Sequence, residues 1–491
     1  MRGVVAAGHP VTAGAGAEIL RAGGNAVDAA LAAMFASFVA EPMLTGLGAG
    51  GYMLVAPPGA DPVLLDFFVE APGRGLEAGA PHAPLVAVEV SFTDAVQVFN
   101  IGASAAGPYG TIAGAWTAIE RFAALPAADL VAPAVAAARR GVEVNEQQAY
   151  LFEILAPITD STPEARAHFM PEGRPQRVGE VYRDPALAET LERLAAEGPA
   201  PFYAGDVAAA VCDWVAERGG LLTRADLAAY ETVVREPVRV RYRGQTALTN
   251  PPPSAGGILI AYALALLERE PSPPPVPAIV RAMQAAQAER TQEFLAGLPD
   301  PRFLERFSAG RLGATTHISA VDADGWACAV TCTNGEGCGE VVPGTGIHLN
   351  NMMGEQDLSP FGFHAHPPGR RLPSMMAPTM VLADGSPRLV LGSAGSNRIR
   401  SAILQVVIGV LDRGLEVQAA IDAPRVHFED GVVYLEPGVE TAELDQLEYT
   451  LVRFTARNLF FGGAQAVLRD PATGELAGGG DPRRGGAVSV A

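Results

Sequence analysis

The chain has no lysine: all 35 of its strongly basic residues are arginines. Without a lysine amine there is no Schiff-base chemistry and no Walker-type phosphate loop, because each needs that group. The 491 residues carry a formal charge of -19. That balance argues against nucleic acid and against an anionic membrane surface as partners. No stretch reaches the roughly 18 unbroken apolar residues of a membrane span, and the opening MRGVVAAGHPVTAGAG has no apolar run of signal-peptide length. The cytoplasm is the expected location. There are only four cysteines, Cys212, Cys328, Cys332 and Cys338, which fit that compartment as free thiols. The last three, with His317 or His348, form the one candidate metal set. Their spacing matches none of the usual zinc patterns, and Cys328 and Cys332 sit in an alternating apolar strand, so no metal is expected.

Several motifs are missing as well. There is no GxSxG elbow, no HExxH and no P-loop, so serine hydrolases of the elbow type, zincins and P-loop NTPases lack their central residues. Gly46-Leu47-Gly48-Ala49-Gly50-Gly51 spells GxGxxG. A helix precedes it and a strand follows, which reverses the order that dinucleotide binding requires. His364 and His366 flank Ala365 in a Pro- and Gly-rich loop and read as a solvated pair.

What is present points to one large unit. Hydrophobic residues make up 49% of the chain, enough for a sizeable core. Residues 12–40 read as two helices split by Gly23, Gly24 and Asn25, the second being the Ala-rich AVDAALAAMFASFVA. Strands YMLVA and PVLLDFF follow, and residues 115–231 are mostly helical by period. VREPVRVRYRGQTALTNPPPSAGG then reads as strands with a proline stop, leading into the helix ILIAYALALLE and a further helix at about 278–296. From Thr315 onward strands return as HISAV, ACAVTCT, APTMVL and PRLVLG, followed by the apolar helix SAILQVVIGVLDRG. Strands, then helices, then strands, with segments buried on both faces, predict a layered α/β sandwich rather than separate domains.

Residues 311–334, RLGATTHISAVDADGWACAVTCTN, carry the chemistry. Asp324-Gly325 reads as a two-residue hairpin turn. That turn sets Thr316 opposite Thr333 and Thr315 opposite Asn334, and a slightly longer loop shifts the pairing by about one residue. Directly opposed Cβ atoms lie about 4.5–5.5 Å apart, so these hydroxyls and the amide reach one site. Threonine hydroxyls at a strand end also cap backbone, which is the plainer reading of any one of them. Gathered together, they suit a nucleophile. If the Ala314–Thr315 bond were cut, Thr315 would gain a free α-amine beside its own hydroxyl. Such an amine, with a pKa near about 7.7–8.0, activates the hydroxyl without a separate histidine. In the precursor the same hydroxyl can attack the preceding carbonyl, making the cut self-catalysed.

On these residues the chain is identified as a member of the γ-glutamyltransferase (glutathione hydrolase) family of N-terminal nucleophile hydrolases, which it resembles along nearly its whole length. The matching pieces are GHPVTAGAGAEILRAGGNAVDAALAA, EPMLTGLGAGGYMLV, REPVRVRYRGQTALTNPPPSAGG, TTHISAVDADG, PGTGIHLNN, APTMVLADG and GSAGSNRI. The resemblance implies a four-layer αββα sandwich built from both halves of a self-cleaving precursor. It places a large region at 1–314 and a small region, headed by the nucleophile, at 315–491. Thr315 matches the nucleophile, and Thr333 the second threonine that hydrogen-bonds it and supports processing. Asn334 falls at the substrate-side asparagine. Gly395 and Ser396 match the paired glycines whose N–H groups form the oxyanion hole; the second is a serine here, and its N–H survives.

The departures bear on the substrate. Where the family clamps the α-carboxylate of a γ-glutamyl donor with an arginine, this chain has Phe68. The donor-binding glutamine after LNN is Met352, and the family's serine pair becomes Ser374 and Met375. The acid that receives the α-amine corresponds to Glu355, or to Asp357 in a slightly different alignment. An unpaired carboxylate buried against such a surface would cost several kcal/mol, so the expected amide donor is less polar than γ-glutamyl. The alternatives are a conventional γ-glutamyl enzyme in which Arg370, Arg371 or Arg398 replaces the clamp, and an unprocessed binding protein. The acceptor is water or an amine. The expected macromolecular partners are the two subunits of one precursor, as a heterodimer or a dimer of heterodimers. No cofactor is implied.

Overall fold

The computed structural model of the chain describes residues 1–91, 96–289, 291, 294, 298, 316–359 and 361–491, with the backbone alone for 96 and 357. Ala314 and Thr315 lie outside the described residues.

Two large antiparallel sheets dominate the described residues. The first has seven strands in the order Ala487–Val490, Gly3–Ala7, Thr316–Asp322, Ala327–Thr333, Gly50–Ala56, Val63–Phe67 and Val233–Arg235. The second has six, in the order Leu476–Gly480, Gly463–Arg469, Ser386–Ala394, Thr379–Ala383, Gln245–Thr249 and Val238–Tyr242. Side chains alternate across each strand. Val4, Ala6, Tyr52 and Leu54 turn to an inner cluster shared with Met380, Val390 and Val467 of the second sheet. Their neighbours Val5, Ala7, Met53 and Val55 turn outward to the helices Pro10–Arg21 and Ala26–Ala40. On the far side of the second sheet, Leu389 and Leu391 pack against Ile399, Ile403 and Val407 of the helix Arg398–Leu411. The result is the expected αββα sandwich. In the first sheet strands from the two sides of residue 315 interleave, and in the second the pair before it adds to the four after it at one edge, so neither half could form a sheet of this composition alone.

Helix Ala26–Ala40 shows why the sequence folds this way. All of its residues are buried, and it has no polar face to orient it. Its start is set instead by a capping box: Asn25 accepts from the N–H groups of Val27 and Asp28, and Asp28 accepts from the N–H of Asn25.

The central hairpin departs from the expected register. Thr316 pairs with Cys332, and Thr333 pairs with Gly50 on the other neighbour. The loop is the three-residue Ala323–Asp324–Gly325, in which Gly325 alone has positive φ, at 93°. The cause is local. Asp322 accepts from Trp326 N at 3.0 Å and from Ala26 N at 2.9 Å, while Ala323 N donates to Arg2 O at 2.9 Å. These bonds tie the loop to the N-terminal strand and helix and favour the longer turn.

Candidate active site

The strand that follows Thr315 in sequence opens with Thr316, whose hydroxyl donates to Glu41 at 2.7 Å. Glu41 also accepts from the Thr12 hydroxyl at 2.9 Å. It is buried, and loss of solvent raises its carboxyl above the ordinary range while the two hydroxyls pull the other way. Gly8 is required beside it, since a Cβ there would collide with the Glu41 carboxylate. Sequence reasoning missed Glu41. The signal available was a lone acid directly after a helix with no polar face.

At the partner strand's end, the Thr333 hydroxyl accepts from Gly335 N at 2.7 Å. Asn334 donates its N–H to Leu44 O at 3.0 Å and its side-chain amide to His348 O at 3.2 Å, leaving its buried Oδ1 without a hydrogen-bond partner. Glu336 follows two residues later, and sequence reasoning missed it too, hidden between two glycines. It hydrogen-bonds Glu355, and burial pushes its carboxyl up to about 7. Glu355 also accepts from Asn351 Nδ2 at 3.2 Å. A buried carboxyl in such a contact keeps its proton to higher pH than an exposed glutamate does. The side chain of Asp357 lies outside the described residues.

Gly395 and Ser396 join the strand Ser386–Ala394 to the helix Arg398–Leu411. Both have positive φ, 115° and 56°. For Ser396 this is a left-handed conformation that carries a cost for any residue with a Cβ. The turn sits at the N-terminal end of a 14-residue helix, where the helix dipole favours negative charge. A narrow cavity of about 20 Å³ joins this turn to Leu44, Glu336, Arg398 and Arg484. Burial and the neighbouring Arg398 lower the Arg484 guanidinium to about 10. The loop after Thr333 and the Gly395–Ser396 turn therefore face one space. A larger cavity of about 390 Å³ on the outer helix layer, between Pro273 and Arg413, shares no lining residue with it.

The expected apolar trio does not form one surface. Phe68, 1% exposed, stacks on Tyr52 with ring centroids 5.6 Å apart and joins Met352 in the inter-sheet core. Met375 belongs to the outer core, with its backbone pressed against Gly256. The Ser374 hydroxyl accepts from Met376 N at 3.1 Å, and its carbonyl accepts from Ala255 N at 2.7 Å. None of these four lines the cavity at Gly395. Arg371 is committed elsewhere: it bonds Phe68 O, the Tyr230 hydroxyl and Glu231 O, and pairs with Glu70 at 3.3 Å. Arg398 donates to Phe460 O at 3.0 Å and lines the cavity.

The histidines resolve into packing roles. His317 bonds Thr331 Oγ1 at 2.7 Å and Ser319 Oγ at 2.9 Å, and burial lowers it to about 3. His366 is not solvated as expected: it is 7% exposed, with Nε2 at 3.0 Å from Leu358 O, and His364 lies against His82 with ring centroids 4.3 Å apart. The loop faces residues 72–82 across a cavity that His82, His364 and His366 line, with His82 exposed and His364 half-buried. The four cysteines are free and buried. No helix among the described residues is long and apolar enough to cross a membrane.

A four-layer sandwich with a buried threonine-ended hairpin facing a left-handed N–H turn defines an N-terminal nucleophile hydrolase architecture. The family profile described as gamma-glutamyltranspeptidase matches residues 12–309 and 299–491, and the chain belongs to that family of enzymes. It is 32% identical to the acylase ACY 1 proenzyme of Pseudomonas sp. (strain SE83), over 96% of this chain and 90% of that one. It is likewise 32% identical to the glutathione hydrolase proenzyme of Escherichia coli (strain K12), over 98% of this chain and 90% of that one. The crystal structure of cephalosporin acylase from Bacillus halodurans superposes with a TM-score of 0.83 at 28% identity, covering 100% of this chain and 96% of that one.

Proposed function

We propose that this chain is a self-processing amide hydrolase or acyltransferase that is cut between Ala314 and Thr315 and then uses Thr315 as its nucleophile. The observation that carries the reading is the shared cavity, which brings the Gly395–Ser396 turn against the loop that follows Thr333. Thr315 directly precedes Thr316 at the open end of that hairpin. Its α-amine takes the hydroxyl proton as the oxygen attacks the amide carbonyl. The N–H groups of Gly395 and Ser396, at the positive end of their helix, stabilise the oxyanion. The amine product leaves with the returned proton, and water or an amine acceptor resolves the acyl ester. The two products of processing, residues 1–314 and 315–491, stay together because each large sheet is built from strands of both. Four buried free thiols accord with a cytoplasmic enzyme.

For the donor, the absence of an arginine at Phe68 and the engagement of Arg371 favour an acyl group less polar than γ-glutamyl. One observation favours the second reading, a γ-glutamyl donor with a relocated clamp: Arg398 and Arg484 both line the cavity.

Intact-mass analysis of the purified protein tests the first step. Fragments 1–314 and 315–491 in the parent, with a single chain in Thr315→Ala, are expected; an uncut parent would sink the amidase reading and leave a binding protein. Turnover of neutral acyl anilides against γ-glutamyl-p-nitroanilide tests the second. Hydrolysis of the latter alone would replace the apolar donor with the relocated clamp.

A further inference from the structure

Outside the site, three buried polar side chains and one half-buried glutamate form a hydrogen-bonded set behind the Gly395–Ser396 turn. Asn397 and Ser401 lie four residues apart on one face of the helix that begins at Arg398, and His427 and Glu429 lie two apart on one face of the strand Val426–Glu429. Asn397 Nδ2 donates to Glu429 Oε1. His427 Nε2 lies 3.2 Å from Glu429 Oε2, and its Nδ1 lies 2.7 Å from Ser401 Oγ. The proton positions follow from the acceptors. Glu429 is held as a carboxylate, lowered to about 2 with His427, Arg398 and Arg400 beside it, and so only accepts. His427 therefore donates from Nε2, and as a neutral ring, kept so by burial, it accepts the Ser401 proton at Nδ1.

The set resembles a nucleophilic triad, but its geometry excludes that role. Ser401 is 4% exposed and its hydroxyl faces Met283 Sδ, so no carbonyl can approach it. The His427 ring is covered by Tyr434 and Phe460. What the set does reach is the turn. Asn397 is the residue after Ser396 and occupies the helix N-cap, yet its side chain makes no capping bond. It is turned instead to Glu429. Ser396, at a φ of 56°, needs its conformation imposed from outside, since a non-glycine residue there is disfavoured.

We propose that Glu429 and His427 are positioning residues that hold the Gly395–Ser396 turn in its left-handed conformation, and with it the direction of the two N–H groups. The proposal rests on the reading of that turn as the oxyanion hole. It assigns a catalytic consequence to a helix–strand lock on the outer layer of the fold.

The test uses Glu429→Gln, which as drawn can satisfy only one of the bonds from Asn397 and His427, and His427→Phe, which keeps the ring packing and removes the bonds to Glu429 and Ser401. Crystal structures of the variants are expected to show Ser396 leaving positive φ. With an anilide substrate, kcat per cleaved enzyme should fall about 10–100-fold with KM changed less than about threefold, the pattern of an interaction made in the transition state. Ser396 kept at positive φ in both variants, or kcat within about threefold of the parent, would overturn it. A loss of activity that follows only the fraction folded would do the same. If either variant fails to fold, Ser401→Ala removes only the outermost bond. Faster amide exchange in the peptide spanning 395–399 is then expected, and unchanged exchange counts against the lock. A parent that hydrolyses no anilide would defeat the proposed function, while the Ser396 conformation in the variants still decides the lock.

Discussion

Two of the buried acidic clusters are built on opposite principles. Behind the second sheet Asp481 and Glu436 each meet a guanidinium. Arg425 pairs with Asp481 at 2.6 Å, and Arg483 reaches Asp481 at 3.2 Å and Glu436 at 2.8 Å. Asp481 is held below its ordinary range despite burial, chiefly by Arg425 and then by Arg483. At the candidate site, Glu41 meets two hydroxyls and Glu336 meets Glu355, and burial raises both Glu41 and Glu336. Asn334 Oδ1, Asn351 Oδ1 and Glu336 Oε2 are buried there without a hydrogen-bond partner. Paired charges are locked outside the working pH range. Carboxyls raised by burial move toward it, and they stand where the chemistry is placed.

Breaking the paired cluster should have the largest effect. Asp481→Ala leaves Arg425 and Arg483 buried beside each other, which costs about 3–5 kcal/mol by denaturant titration. Asp481's folded value is depressed, so its contribution is present above the ordinary carboxylate range and is lost as pH falls through the folded value. The gap between parent and variant should therefore shrink in acid; an equal gap at pH 3 and pH 7 would show that the ion pair is not its source.

Removing a raised carboxyl should act in the opposite direction. Glu336 titrates near 7 in the fold, above its ordinary value. Its contribution is present below the ordinary value and is lost as pH rises toward 7. Glu336→Gln should thus gain on the order of 2 kcal/mol at pH 8 and little at pH 4. It should also flatten any limb near neutrality in the pH–rate profile. A variant less stable than the parent at pH 8 would mean that Glu336 is compensated by charge after all.

The same contrast explains what could be read from the sequence. Alternation and glycine punctuation marked the hairpin strands and the Ala-rich helix Ala26–Ala40, because those patterns depend on residues close in sequence. The hairpin register was set by Asp322 reaching Ala26 N, nearly 300 residues away, and came out one residue different. Glu41 and Glu336 looked like ordinary surface acids, since burial is a property of the assembled layers. Leu476–Gly480 ends in three glycines, which carry no alternation to mark a strand. It is a strand because a Cβ at Gly478 would collide with Val488 and one at Gly480 with the backbone of Gly486 and Ala487. The donor residues failed in the other direction. Phe68, Met352 and Met375 were grouped by motif, but position in a motif did not say which core each would join.

The smallest expected effect is the most diagnostic of the hairpin end. Thr333 holds Gly335 N at 2.7 Å and so shapes the loop that carries Asn334 and Glu336 into the site. Thr333→Val keeps the β-branched volume and removes that acceptor, leaving a buried N–H unmet, at a cost of about 1 kcal/mol. Thr333→Ser should restore it. If Thr333 also supports processing, self-cleavage of freshly folded Thr333→Val will be slower than that of the serine variant by more than its stability loss accounts for, when both are followed by gel at the same folded fraction. Equal cleavage rates in the two would confine Thr333 to shaping the loop, and the proposed processing role would pass from this hydroxyl to the Thr316–Glu41 pair.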